Sequence, residues 1–169
     1  RLAEELVRLS PACERVRFCA SGTEATMYCQ RLARAAQGKM KILKFEGAYH
    51  GSYDFVMVGG GNLPAVDDPV RLTRPAPDVG GLPPAAIDDV VLMRYNDPEA
   101  VREAVRRHGD SLAAILVEPM LGAGGVVQAD PEFLAVLRQE TSRAGIVLIC
   151  DEVITLRQAV GGAQSAYGL

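Results

Sequence analysis

Five short runs of apolar and β-branched residues recur along the chain: Val16 to Ala20 (VRFCA), Lys41 to Phe45 (KILKF), Val90 to Tyr95 (VVLMRY), Ala113 to Pro119 (AAILVEP) and Gly145 to Glu152 (GIVLICDE). Several lack the polar alternation of a strand with one wet face, which predicts strands covered on both sides. Helices with readable ends fall between them. After Gly22, the residues Ala25, Tyr28, Cys29, Leu32, Ala33 and Ala36 recur at helical spacing, and Gly38 offers a stop. Asp97 before Pro98 predicts a second helix, with Val101, Ala104 and Val105 inward and Gly109 at its end. Asp130 before Pro131 predicts a third, carrying Phe133, Leu134 and Leu137 and stopping at Gly145, each aspartate accepting from an orphan helix amide. Strand, helix, strand in this order implies right-handed crossovers and a helix-covered, mostly parallel α/β sheet. The Gly- and Pro-rich stretch from Gly59 to Ala86 breaks the pattern and reads as a long irregular loop. Loops of that length are commonly functional.

A chain of 169 residues, 49% of them apolar, suffices for a domain with a real core. Its net charge of −3, spread over both signs, offers no electrostatic reason for a nucleic-acid or anionic-membrane partner. Apolar runs such as Leu112 to Val117 and Ile146 to Cys150 are too short to cross a bilayer, so a cytoplasmic protein acting on small molecules is expected. Cys13, Cys19, Cys29 and Cys150 match neither a disulfide scaffold nor a metal site and read as reduced, mostly buried thiols.

In open parallel sheets, ligands bind beyond the carboxyl ends of the strands. Four places in this chain qualify. Ser21, Gly22 and Thr23 lie where an apolar run passes into a helix start, a position suited either to cradling a phosphate or to simple capping. Asp151 directly follows an apolar strand, and a carboxylate there needs a partner: a protonated heterocyclic nitrogen, or a nearby arginine. Tyr49 and His50, flanked by glycines after KILKF, offer an aromatic wall for a flat ring or merely turn packing. Glu118, before Pro119, brings a second carboxylate to the same edge. Together they describe a pocket for a flat, phosphorylated, protonatable ring. Pyridoxal phosphate suits it better than a dinucleotide, because no GxGxxG fingerprint is present.

The segments SGTEATMYCQRLARA, KFEGAYHGSYD, ILVEPMLGAGG, LICDEVITLR and GGAQSAYGL, in this order, resemble the class III pyridoxal-phosphate aminotransferases, nearest the glutamate-1-semialdehyde 2,1-aminomutase branch. The resemblance implies the large domain of a fold type I transferase, with residues 1–169 forming its central part. An N-terminal segment, the Schiff-base lysine segment and a C-terminal small domain would lie outside. It implies that Ser21, Gly22 and Thr23 hold the cofactor phosphate, Tyr49 stacks on the ring with His50 beside it, and Val153 packs on the other face. Asp151 would pair with the ring nitrogen, and Glu118 would stand near cofactor and substrate. The segment after Tyr53 would match a mobile gating loop, and the intact protein would be a homodimer acting on an amino acid or amino aldehyde.

Two departures accompany the likeness. Family members place Gln or Asn shortly after Glu-Pro, where this chain has Met120, Leu121, Gly122 and Ala123. The only lysines are Lys39, Lys41 and Lys44, expected at the edge of the sheet away from the pocket, so the 169 residues alone are expected to be inactive. Rival readings are a transaminase with separate donor and acceptor, a silent truncated form that binds cofactor noncovalently or only dimerises, and a nucleotide-binding α/β domain.

Overall fold

Four of the five apolar runs pair into one parallel sheet in the computed structural model, which describes residues 1–10, 12–59 and 75–169. The strands are β1 (Lys41–Phe45), β2 (Val90–Met93), β3 (Leu112–Val117) and β6 (Val147–Cys150), in the order β2-β1-β3-β6. Helix α4 (Pro98–His108) connects β2 to β3, and α5 (Pro131–Ala144) connects β3 to β6. Every residue of β3 is buried, as its unbroken apolar run requires. On one face Leu43, Phe45, Ile115 and Val117 pack with Val101, Val105, Phe133 and Leu137 of α4 and α5. On the other, Ile42, Ala114 and Leu116 pack with Ala33 of α2 (Gly22–Gln37) and with Val56. The chain steps from β1 to β2 on one side and returns to place β3 on the other. This reversal opens a crevice at the carboxyl ends of β1 and β3.

The helix ends follow the expected chemistry in most places. Gly38 and Gly145 stop α2 and α5 in the left-handed region, each at φ 65°. Asp97 accepts from the Ala100 N–H at 2.9 Å, and Gly109 ends α4. Asp130 differs: its side chain makes no cap bond, and its own N–H donates to Asn96 Oδ1 at 2.9 Å.

Several expectations are corrected. Val16 to Ala20 is not a strand. Phe18 is 61% exposed, and Arg17 lies over the Tyr28 ring, 3.8 Å from its centroid. The run carries an arginine, Arg17, whose guanidinium packs on Tyr28 of α2, so this segment lies against α2 instead of joining the sheet. The buried face of α2 is Thr26, Gln30 and Ala33, whereas Leu32 is 64% exposed. Cys29 is exposed and the other three cysteines are half-buried, all as free thiols. Within the Gly59-to-Ala86 stretch, residues 60–74 lie outside the described residues. The stretch nevertheless ends in a helix, α3 (Pro84–Asp88), because proline at the first helical turn forfeits no hydrogen bond. Elements not expected from the sequence are α1 (Leu2–Leu9), the short antiparallel pair β4 (Met120–Leu121) and β5 (Val127–Gln128), and α6 (Gly162–Ala166). Among the described residues, no helix is long and apolar enough to cross a membrane.

Candidate active site

The start of α2 is built by a reciprocal cap. Ser21 Oγ accepts from the Glu24 N–H at 3.2 Å, while the Glu24 carboxylate accepts from the Ala20 N–H at 2.7 Å. The Ser21 hydroxyl is thus engaged by its own helix. Gly22 and Thr23, the next two residues, line a cavity of about 270 Å³ together with Tyr49, His50, Glu118, Asp151 and Val153. That volume lies near the lower end of the roughly 300–1,000 Å³ usual for small-molecule sites. A methyl group on Gly22 would stand 3.2 Å from Val153 Cγ2, so the absence of a side chain there keeps the crevice open.

The turn after β1 is fastened from several sides. Thr26 Oγ1 donates to the His50 carbonyl at 2.7 Å, and the Ser52 N–H donates to Thr23 Oγ1 at 3.2 Å. Tyr49 stays 57% exposed, its ring free to form a wall of the cavity. His50 is buried, and its Nδ1 lies 2.8 Å from Asp151 Oδ2. A carboxylate only accepts, so Nδ1 carries the proton and donates. Asp151 Oδ1 accepts from the Val153 N–H at 3.2 Å, fixing the other side of the carboxylate. Burial holds the His50 imidazole below its ordinary titration range, against the pull of the Asp151 hydrogen bond, and the charge of Lys44 pushes the same way as burial. Glu118 is buried and accepts from the N–H groups of Tyr49 (3.0 Å) and Gly122 (3.3 Å). Burial raises its carboxyl, with the two amides opposing.

Buried neutral His50 makes stability depend on pH. The unfolded chain takes up the proton near pH 6.5 and the folded chain does so only lower, so stability is full above that value and declines as pH falls below it. Urea midpoints of the protein and of His50→Asn, compared between pH 7.5 and 5, are expected to converge as the wild type loses its excess. A constant gap would show that His50 titrates alike in both states.

Five of these residues were missed by sequence reasoning or misplaced by it. Thr26, one turn inside SGTEAT, and Gly51, at φ 102°, carry a local signal. Ile154 also lines the cavity, as does Ala123. Glu152 has no short-range signal. Its carboxylate accepts from the Ala163 and Gln164 N–H groups at 2.6 and 3.1 Å, tying the end of β6 to α6. Lys44 was expected away from the pocket, but it stands at the carboxyl end of β1, only 1% exposed, with Nζ donating to the carbonyls of Val56 and Val58 at 2.8 Å each. Side chains alternate along a strand, and Lys44 falls on the face turned to α2 and the loop after β1.

Fold and crevice together define an α/β protein with an amide-rich helix start and a histidine-braced carboxylate in one cavity. The chain belongs to the class III aminotransferases, whose family model matches residues 1–162. It is 42% identical over 170 residues to the glutamate-1-semialdehyde 2,1-aminomutase of Rhodopirellula baltica, covering 100% of this chain and 37% of that protein. It is similar to the crystal structure of an omega-transaminase from Sphaerobacter thermophilus, with TM-score 0.90, 43% identity, and 99% of this chain and 38% of that one covered. A solved transaminase with PLP bound matches at TM-score 0.86 and 38% identity, over 98% of this chain and 37% of its own. The chain therefore spans less than two fifths of the length of these relatives.

Proposed function

We propose that these residues are the central part of the large domain of a pyridoxal-phosphate enzyme that moves amino groups, of the glutamate-1-semialdehyde 2,1-aminomutase type. The observation that carries this reading is that Gly22 and Thr23, at the amide end of α2, share one cavity with Asp151. A helix start attracts an anion, and a carboxylate in the same cavity attracts a cationic ring nitrogen, so the two groups match the two charged poles of the cofactor. When bound, the cofactor supplies an electron sink for the substrate carbon.

The chain's own residues then have distinct tasks. The amides of Gly22 and Thr23 hold the phosphate, while Ser21 acts on it only by ordering the helix start. Tyr49 and Val153 flank the ring. Asp151 keeps a proton at the ring nitrogen, and His50, donating from Nδ1, sets the direction of that carboxylate. Glu118 orders the Tyr49 backbone beside the space left for substrate. The same reading takes the intact protein to be a homodimer and cytoplasmic.

The full-length protein, loaded with cofactor and given glutamate 1-semialdehyde alone, is expected to convert it to the isomeric amino acid. The likeness to an omega-transaminase favours a second reading, in which a separate donor and acceptor are required. Turnover only with such a pair overturns the mutase assignment in favour of the transaminase. Turnover with neither overturns both.

A further inference from the structure

The peptide group joining Ala48 to Tyr49 lies between two buried charges. Its carbonyl, that of Ala48, accepts from Lys44 Nζ at 3.3 Å, and its N–H, that of Tyr49, donates to Glu118 Oε2 at 3.0 Å. Lys44 and Glu118 are 1% and 6% exposed, and Ala48 is 2% exposed, so water does not compete for either contact. A peptide dipole with its oxygen toward a cation and its hydrogen toward an anion is held in one orientation, and charge-assisted hydrogen bonds of this kind are about twice as strong as neutral ones. The same ammonium also gathers the carbonyls of Val56 and Val58, fastening both ends of the turn from Ala48 to Val58 to β1.

The geometry points to Lys44 as a positioning residue for the candidate site: with Glu118 it clamps the Ala48–Tyr49 peptide and thereby sets the Tyr49 ring as a wall of the cavity. This rests on the cofactor reading above only in what the wall faces. Lys44 does not line the cavity itself, so any effect it has on a ligand must pass through the turn it holds. Lys39 offers a matched control. Its ammonium also donates to a backbone carbonyl, that of Gly109 at 2.8 Å, but remote from the site.

The test uses the full-length protein and pyridoxamine phosphate, which binds without a covalent bond. Dissociation constants are measured for wild type, Lys44→Met, Tyr49→Ala and the double variant. Lys44→Met is expected to raise the constant about tenfold in the presence of Tyr49 and less than twofold on the Tyr49→Ala background, because a residue acting through another loses its effect when that one is removed. Lys39→Met is expected to change nothing. Equal losses on both backgrounds, or none on either, overturn the proposal.

Amide exchange of the unmodified protein is the second arm, needed if Lys44→Met does not fold. The Tyr49 N–H is expected to exchange at least 1,000-fold more slowly than a free amide (~4 kcal/mol of protection), and exchange at the free rate overturns the clamp. If pyridoxamine phosphate binds none of the proteins, the cofactor reading fails, while exchange at Tyr49 still decides the clamp.

Discussion

Replacing Asp151 by asparagine is expected to lower the turnover of the full-length enzyme by about 1,000-fold or more, roughly 4 kcal/mol in the barrier. The substitution keeps the size of the side chain and leaves an oxygen to accept from the Val153 N–H. It removes the negative charge that, in the proposed reading, holds a proton at the ring nitrogen. It also alters the partner of His50, because an amide can present its NH₂ to Nδ1 and force the imidazole into the other tautomer. Steady-state rates with saturating cofactor check this. The cofactor's absorbance, which differs between protonated and unprotonated ring, is expected to shift in the same variant. Full activity in Asp151→Asn would remove Asp151 from the reaction.

Gly51→Ala is expected to cost about 3 kcal/mol or more in stability and to abolish cofactor binding at ordinary concentrations. A Cβ at this position would lie 2.5 Å from Thr23 Oγ1 and 2.7 Å from Thr23 Cα, and the backbone φ of 102° already disfavours any side chain. One of the three colliding Thr23 atoms, Cα, is backbone at the start of α2, so no rotamer change relieves the contact. The turn bearing Tyr49 and His50 must lift from the helix start it packs against, and both line the cavity. Thermal unfolding and a cofactor titration check both effects. Gly80→Ala, with nothing within 4 Å of the added methyl and no positive φ, is the control and is expected to leave both within experimental error.

These two sites illustrate how far local information reaches. Asp151 was legible because a carboxylate ending an apolar strand is costly unless something meets it, a rule that needs no coordinates. Gly51 was passed over as one of several glycines near Tyr49, since a glycine's necessity depends on what approaches it from elsewhere. Here that neighbour is Thr23, 28 positions earlier in the chain. Ser21 shows the opposite case: two roles suited the motif, and the Glu24 carboxylate reaching back to Ala20 is what assigns its hydroxyl to the cap.

The strands failed and succeeded for a related reason. KILKF and AAILVEP were read correctly because burial on both faces leaves a compositional trace that any window of residues displays. VRFCA carries a similar trace, but whether an edge position in the sheet receives it depends on partners that a window does not contain. Lys44 was misjudged on the same ground. It was expected near the start of the strand, whereas β1 runs from Lys41 to Phe45 and puts it near the carboxyl end. Which face it occupies, and that carbonyls of Ala48, Val56 and Val58 converge there, follows from how the chain returns after β1.

The succession of the four parallel strands with α2, α4 and α5, the helix stops at Gly38 and Gly145, and the placing of Gly22, Tyr49, Glu118 and Asp151 at strand or helix ends were determined by the sequence alone. They depend on propensity, burial and capping, which act between residues close together in the chain. That His50 braces Asp151, that Glu118 and Lys44 hold opposite sides of one peptide, and that Glu152 ties β6 to α6 were decided only in three dimensions. The His50–Asp151 and Tyr49–Glu118 contacts join residues that the parallel crossovers bring to one edge of the sheet. Hydrogen bonds and charges act over a few ångströms of space, whatever the separation along the chain.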